Sequence, residues 1–292
     1  MAQAETEPHP PTRPFGRADV FAVLKGSFAQ IGERNMTLVS AGVAFFVMLS
    51  LFPALAALIA LLSLIADPAF VVEQLDAMRD LLPADVFDII KTQVVTLVSA
   101  NSDRLGWAGV LSVLLALWSA RSGVGAMMIG LNATQNARNR GTAGHYGRAL
   151  LLTLALVSVA LTALLSLVVT PIAVAFFPIG IIGSILVDVL RWIVASSVLF
   201  VGIGLLYRYG PNDPGKPVAW FSPGAVLSVV LFIFVSIGFS FYVANFGNYN
   251  QVYGSIGAVI AMLVWLWLSS FTVLFGAALN AQVEDVLARK EE

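Results

Sequence analysis

The chain has 292 residues, of which 59% are hydrophobic and only 11% are charged, and its mean hydropathy is +0.88. A soluble domain carries about a quarter charged residues, so too little charge is present here to cover a water-facing surface, and we expect lipid around most of the protein. The net charge of −1 indicates no nucleic-acid partner. The absence of cysteine excludes disulfides, thiolate metal sites and cysteine nucleophiles.

The chain begins with a polar, proline-rich segment, residues 1–18, which we expect to be a disordered cytoplasmic tail. This segment lacks the apolar core of a signal sequence, so the first membrane span is expected to serve as its own insertion signal. The next segment, Asp19–Gly32, has apolar residues at helical spacing. It fits an amphipathic helix on the membrane surface, and it equally fits the cytoplasmic start of the first span.

Six apolar stretches follow, and each reaches the ~20 residues that a helix needs to cross about 30 Å of hydrocarbon. The sequence therefore predicts an all-α, polytopic membrane helix bundle over residues 19–285, followed by a cytoplasmic tail at 286–292. Pro53 lies inside the first stretch and is expected to bend that helix. The predicted spans are 36–66, 105–132, 147–177, 181–207, 219–245 and 252–281.

The distribution of Lys and Arg predicts the orientation of these spans, because cytoplasmic loops carry an excess of both residue types. Eleven of the chain's 16 Lys and Arg residues precede the first span, follow the sixth, or lie in the loops after the second and fourth spans. Three lie in the loop after the first span. Both termini are therefore predicted to be cytoplasmic.

The first outer loop, residues 67–104, is long and is divided by Pro83. Its second half has apolar residues on one helical face and polar residues elsewhere, which predicts amphipathic helices. These helices fit a cap over the outer mouth of the bundle, and they also fit a solvated connecting hairpin.

Two ionisable sites fall inside predicted spans, where an Arg or Asp at the helix centre costs about 2.5–3.5 kcal/mol. Arg121 is deep in the second span and is expected to face the bundle interior. The alternative is that its side chain extends to the cytoplasmic headgroups. Asp188 and Arg191 are expected to form a structural ion pair on one face of span four, with a transport role as the alternative.

Two asparagines close the second and sixth spans in the same local setting, Leu131-Asn132-Ala133 and Leu279-Asn280-Ala281. Asn132 and Asn280 fit two polar corners at the inner end of one cavity, and they equally fit two helix C-caps. A buried Asn in a membrane protein usually bonds a neighbouring helix, which contributes about 1 kcal/mol.

The outer hairpin between spans five and six is rich in Asn, Tyr and Gly and carries no charge. Gly and Asn permit tight turns, and tyrosine is enriched at membrane interfaces. The hairpin therefore fits a polar lining at the outer mouth, with two glycines that permit close packing at the start of span six. The residues concerned are Asn245, Asn248, Asn250, Tyr253, Gly254 and Gly257.

No catalytic constellation is present in the sequence. The sequence contains only two histidines, His9 and His145. This small number excludes a His-rich metal site and makes a Ser-His-Asp arrangement implausible. Phosphate-binding and dinucleotide-binding motifs are absent. We therefore expect a protein that is not an enzyme and that binds no metal or cofactor.

Four segments together resemble the YihY/BrkB-like family of bacterial inner-membrane proteins, and the resemblance extends over roughly residues 20–285. The family is implied to have six helices with both ends inside. Some of its members have carried a ribonuclease label, which nothing in this sequence supports. The segments are Ala44–Pro53, Trp118–Asn132, Tyr207-Arg208-Tyr209-Gly210-Pro211-Asn212 and Tyr249–Asn280.

The chain departs from the family pattern at two places. Family members often have Glu in the last span where this chain has Ala278, which removes the obvious partner for Arg121. The loop after span two, Thr134–Arg140, lacks an acidic residue that is frequent in the family.

The leading functional hypothesis is a transporter or a lipid-handling protein of the bacterial inner membrane, with membrane lipids or an amphipathic molecule as partner. A central cavity would be lined by Arg121, Asn132 and Asn280 toward the cytoplasm and by the 245–257 hairpin toward the outside. The alternative is a non-catalytic assembly or scaffold factor that acts through partner helices, including a possible oligomer.

Overall fold

The computed structural model describes residues 16–65, 91, 102–175, 181–212, 218–245 and 250–291. Within these ranges the regular structure is helical, so the predicted all-α architecture is confirmed. The helices are α1 (Arg17–Glu33), α2 (Met36–Ile65), α3 (Ser102–Thr134), α4 (Thr142–Ala175), α5 (Ile181–Tyr209), α6 (Pro223–Asn245) and α7 (Asn250–Glu291).

The six helices α2 to α7 are long and apolar enough to cross a membrane, as the sequence predicts. They contain between 23 and 42 residues, compared with the ~20 needed for a crossing. At most 28% of the residues in their membrane-crossing segments are buried inside the protein. Most of the surface of these segments is therefore left to face lipid.

Several helix boundaries differ from those predicted: α4 begins at Thr142 rather than at 147, α6 begins at Pro223 rather than at 219, and both predicted tails are partly helical. The last helix continues to Glu291, so most of the segment 286–292, predicted as a tail, forms the final turns of α7. The first helix begins at Arg17, inside the predicted tail, while residues 1–15 lie outside the described residues. The final turns of α7 are polar, and their contacts with α1 explain why the helix extends beyond the apolar stretch.

In the described residues, α2 to α7 form a closed ring in which helices adjacent in sequence are adjacent in space. The widest interface joins α2 to α3, and α7 closes the ring against α2. α7 also contacts α3, the other neighbour of α2 in the ring, and buried side chains of α2, α3, α5, α6 and α7 pack together among the described residues.

Among the side chains that the structure describes, the buried core lies toward one end of the bundle, where α2, α4 and α6 begin and α3, α5 and α7 approach their ends. We call this the basal end, and the opposite end the distal end. Leu131, Leu274 and Tyr207 are among its most buried side chains. The members of this basal core are Met36, Val43, Met127, Leu131, Ile203, Tyr207, Ala225, Val229, Leu274, Phe275, Ala277 and Ala278.

α1 is a separate helix that packs antiparallel along the last part of α7. Asn35, whose φ of 50° lies in the left-handed region, separates α1 from α2. The rings of Phe28 and Phe275 have centroids 5.2 Å apart, and Lys290 donates to Asp19 at 2.6 Å. The segment is therefore not the start of the first span, and one of its faces is covered by α7 rather than by the membrane surface.

At the first turn of α1, the Lys290 ammonium and the backbone N–H of Gly16 hold the pKa of Asp19 below its ordinary value.

The two faces of α1 differ in what they contact. The face toward α7 contains the buried residues Val23, Ser27 and Gln30. Another face leaves large apolar side chains exposed, namely Val20, Phe21 and Leu24.

The orientation predicted from the basic residues can be tested with single cysteines, because the natural chain has none. Gly141→Cys places a thiol on an exposed basal loop where a Cβ meets no neighbour, and Ser102→Cys places one at the distal start of α3. In intact spheroplasts, a membrane-impermeant maleimide is expected to label Ser102→Cys, whereas Gly141→Cys should react only in inverted vesicles. The reverse pattern would contradict cytoplasmic termini.

Candidate functional site

Asn132 lies near the end of α3 and joins two loops at the basal end. It is only 1% exposed. Its Nδ2 donates to Oδ1 of Asn139 at 2.8 Å, and its Oδ1 accepts from the backbone N–H of Asn212 at 2.7 Å. The amide is therefore occupied on both sides by protein groups, and it connects the α3–α4 loop to the turn after α5.

The same two loops are joined a second time by Arg140. Its guanidinium donates to the carbonyl oxygens of Gly210 at 2.8 Å and Pro211 at 2.6 Å. Burial, together with the charge of Arg148, lowers the pKa of Arg140 from its ordinary value. A partly buried guanidinium is stabilised by acceptors, and the carbonyls that follow the end of α5 provide them.

Asn280 makes the equivalent junction between α7 and α6. Its Oδ1 accepts from the backbone N–H of Gly224 at 2.7 Å, and its Nδ2 donates to Oγ of Ser222 at 2.9 Å. Ser222 in turn accepts from the N–H of Ala225 at 3.2 Å. The first N–H groups of a helix lack partners within that helix, so Asn280 and Ser222 satisfy two of them at the start of α6.

Asn132 and Asn280 thus connect different segments, and neither side chain caps its own helix. Asn280 lies eleven residues before the last residue of α7, so it does not mark a helix end. Span five was predicted to begin at residue 219, but α6 begins at Pro223, where Ser222 takes the N-cap position. Both amides are buried in packed protein, which is the setting of a structural junction.

Tyr207 is the central polar residue of the basal core. The sequence did not predict it as a site residue, and it appears there only within the segment that begins at Tyr207 and ends at Asn212. Its hydroxyl donates to the carbonyl of Val273 at 2.5 Å and lies 2.7 Å from Oγ of Ser228. Ser228 donates to the carbonyl of Thr272 at 3.0 Å. These bonds join α5, α6 and α7 inside the core.

Close approach of backbones accompanies these bonds. A Cβ at Gly224 would overlap the carbonyl oxygen of Gly276, and a Cβ at Gly276 would overlap Ser228 and the carbonyl of Gly224. Small residues permit this contact between membrane helices. The positions of Gly224 and Gly276 in the sequence suggest a close contact between helices. Which glycine lies opposite which depends on how α6 packs against α7.

Arg121 lies apart from both asparagine junctions. Its guanidinium carbon is 4.4 Å from the ring centroid of Tyr146 on α4, and its Nη2 is 3.5 Å from Oγ of Ser122. Ala278, where the family resemblance led us to expect Glu, is fully buried in the basal core. These contacts favour the alternative in which Arg121 extends along the bundle surface, because Tyr146 is half exposed near the start of α4.

Several predicted site residues cannot be placed by their side chains. Asn248 and the side chains of Asn245, Asn250, Tyr253, Asp188 and Arg191 lie outside the described residues, so the outer polar lining and the intrahelical ion pair stay predictions. So do the amphipathic helices of the outer loop 67–104. Gly254 and Gly257 lie in the first turns of α7, and Pro53 lies inside α2, which continues to Ile65.

An apolar recess of about 630 Å³ opens on α5, away from the asparagines. It is lined by one face of α5 from Val189 to Phe200 and by Phe221 of the segment before α6. The rings of Phe200 and Phe221 have centroids 5.6 Å apart at its basal edge. Ser196 and Ser197 are its polar lining residues, and Ser197 donates to the carbonyl of Ile193 within its own helix at 2.7 Å.

These features define a multi-pass α-helical membrane protein with a packed basal end. The chain belongs to the BrkB family, because the family described as virulence factor BrkB matches residues 27–292. This finding and the confirmed six spans agree with the resemblance seen in the sequence.

Individual relatives extend this similarity. The ribonuclease-like protein YfkH of Bacillus subtilis is 31% identical over 247 residues, which cover 83% of this chain and 88% of YfkH. A UPF0761 membrane protein of Xanthomonas campestris is 39% identical over 87 residues, which cover 30% of this chain and 20% of that protein. No solved structure matches the chain.

Removing the Asn280 amide should destabilise the basal end. Asn280→Ala would leave the N–H of Gly224 without its acceptor, which we expect to cost about 1–3 kcal/mol of unfolding free energy. The measurement is denaturant unfolding in detergent micelles. Ser158→Ala is the control, because the exposed Ser158 hydroxyl bonds only Leu154 of its own helix. Equal losses in the two variants would contradict the junction.

Proposed function

We propose that the protein handles a lipid or another amphiphilic molecule, and that the recess on α5 is where the apolar part of that molecule binds. The observation that carries the proposal is the volume of the recess, about 630 Å³, which falls within the range of about 300–1,000 Å³ typical of ligand sites. A recess on a membrane-crossing helix is open to lipid without passage through water.

The position of the recess on α5 supports this choice. Val189, Ile193, Ser196 and Phe200 recur at helical spacing, and the same stripe continues into Ile203 and Tyr207 of the basal core. One face of α5 is thus packed toward the basal end and open farther along the helix. An amphiphile bound there would lie against the ring of helices and end at the packed core.

The central cavity expected between Arg121, Asn132 and Asn280 does not form part of this proposal. The two amides are occupied by protein groups, and Arg121 contacts Tyr146 instead. A route through the basal end would require these junctions to open. We therefore infer that the described state is closed at that end.

We further propose that the protein resides in the bacterial inner membrane with both termini in the cytoplasm, so that the basal end is cytoplasmic. The excess of basic residues in the basal loops supports this orientation. The aromatic side chains of Tyr146, Tyr209 and Trp220 lie near the basal helix ends, at least 38% exposed, as expected at a membrane interface.

A scaffold role is the second candidate, and the exposed face of α1 favours it. Val20, Phe21 and Leu24 are exposed on a helix that precedes the first span, and exposed apolar patches mark interaction sites. A partner helix would cover this face. The two candidates separate experimentally, because a scaffold requires the α1 face and does not require the recess.

Filling the recess should impair lipid movement. The assay reconstitutes the purified protein in phosphatidylethanolamine–phosphatidylglycerol vesicles with a trace of fluorescent phospholipid, and it follows quenching by dithionite. Ser196→Trp, which places an indole in the recess, is expected to slow transbilayer movement several-fold. Ala195→Trp is the matched control, because Ala195 is exposed and does not line the recess. Wild-type protein that moves no lipid, or two variants with equal rates, would contradict the proposal and favour a scaffold.

A nuclease is not proposed, although one relative is named ribonuclease-like. In the part of the chain that the structure describes, no three His, Cys, Asp or Glu residues are grouped in a way that could hold a metal ion. Purified protein with Mg²⁺ or Mn²⁺ is expected to leave a labelled RNA intact. Metal-dependent cleavage that copurifies with the protein and survives a second purification would overturn this expectation.

A further inference from the structure

The side chain of Arg121 belongs to a face of α3 that is open to the membrane. Trp107, Leu111, Leu114 and Trp118 lie on the same helical stripe as Arg121, at spacings of three and four residues. All four are exposed, from 55% for Trp118 to 80% for Trp107. Arg121 is therefore the basal end of a lipid-facing apolar stripe.

The same face of α3 is covered by α4 immediately below Arg121. A Cβ at Gly125 would lie 3.1 Å from Nε2 of His145, and Met128 packs against Ala149 and Leu152. Arg121 thus lies at the distal edge of the contact between α3 and α4. On the distal side of Arg121 this face of α3 is exposed, and on the basal side it is buried against α4.

Most of the Arg121 guanidinium has no protein acceptor among the described contacts. Within the described part of the chain, the guanidinium contacts the face of Tyr146 at 4.4 Å and Oγ of Ser122 at 3.5 Å. The second distance is at the limit of a hydrogen bond. A guanidinium carries five N–H donors. Several donors therefore remain for a ligand with planar or tetrahedral oxygen acceptors.

Other cations gather at this place, in a stretch of the chain that carries no carboxylates. Arg140 and Arg148 donate to the carbonyl oxygens of Gly210 and Tyr209, which are adjacent in the chain. Arg148 follows Tyr146, the ring that Arg121 contacts, by two residues on α4. The sequence contains no Asp or Glu between positions 104 and 187. Arg140 donates to carbonyl oxygens, which do not neutralise its charge. The α3–α4 corner therefore holds a positive potential that an anion would relieve.

We propose that this corner binds the phosphate of an anionic phospholipid, with Arg121 as the principal ligand and with one acyl chain along the stripe from Trp118 to Trp107. Arginine suits phosphate because its N–H groups pair with two phosphate oxygens at once. Basic pockets between membrane helices on the cytoplasmic side bind anionic headgroups. A lipid rather than a free anion is the ligand, because the stripe that continues from Arg121 is apolar and exposed. This site is separate from the recess on α5 and does not depend on it.

Native mass spectrometry of the intact protein, released from detergent micelles, tests the proposal. Phosphatidylglycerol and phosphatidylcholine of equal chain length are titrated separately onto delipidated protein. The wild type should bind phosphatidylglycerol in preference. Arg121→Gln should weaken that binding about tenfold or more, the loss expected for a hydrogen bond to a charged group. Arg138→Gln is the matched control, because it removes one charge from an exposed residue of the neighbouring loop.

Two further measurements keep the result interpretable. Arg121→Lys retains the charge and should bind phosphatidylglycerol more tightly than Arg121→Gln, and all variants should elute as a single species in gel filtration. Millimolar glycerol 3-phosphate should not displace the lipid. Equal weakening in Arg121→Gln and Arg138→Gln would reduce the effect to net charge and overturn the site. Displacement by glycerol 3-phosphate would assign it to a soluble anion, and equal affinity for the two lipids would refute it.

Discussion

The arrangement of the basal end depends on one constraint: polar groups removed from water must be paired with one another. Asn132 and Asn280 meet this constraint by bonding across helices rather than along them. Each holds a backbone N–H of a neighbouring segment, and each has its second amide position occupied as well. Arg140 and Tyr207 add carbonyl contacts to the same region. The result is a basal end in which loops and helices are fixed relative to one another.

This fixed end gives the rest of the protein a defined geometry. The described buried core joins side chains of α2, α3, α5, α6 and α7, and the close contact of Gly224 with Gly276 brings α6 against α7. α5 is anchored to this core by Tyr207, while its stripe from Val189 to Phe200 remains open. A recess beside a rigid core is suited to hold an amphiphile, because the core sets the depth to which an acyl chain can enter.

Much of the architecture could be predicted from the sequence, because membrane helices follow from long apolar runs. The starts of α2 and α5 agree with the predicted spans to the residue. Helix boundaries were less predictable where polar contacts determine them. α7 continues to Glu291 because its polar turns pack on α1, and α6 starts at Pro223 because Ser222 caps it.

The site was predictable in its residues and not in its geometry. Asn132 and Asn280 were singled out as cavity corners or helix C-caps, whereas each bonds a backbone N–H that lies 80 or 56 residues away in the chain. No local pattern indicates such a pairing. Arg121 was expected in the interior because its depth in the helix was visible, whereas the direction of its side chain depends on where α4 begins. Tyr207 is hidden in an apolar run, and only packing reveals what its hydroxyl contacts.

We propose that an amphiphile reaches the protein from the side, at α5, while the basal end stays closed. A density map of the protein in lipid nanodiscs tests this claim most directly. We expect elongated, acyl-chain-like density against Ser196 and Phe200, and continuous protein density around Asn132 and Asn280. A solvent-filled or ligand-filled passage between the two asparagines, with an empty α5 face, would contradict it.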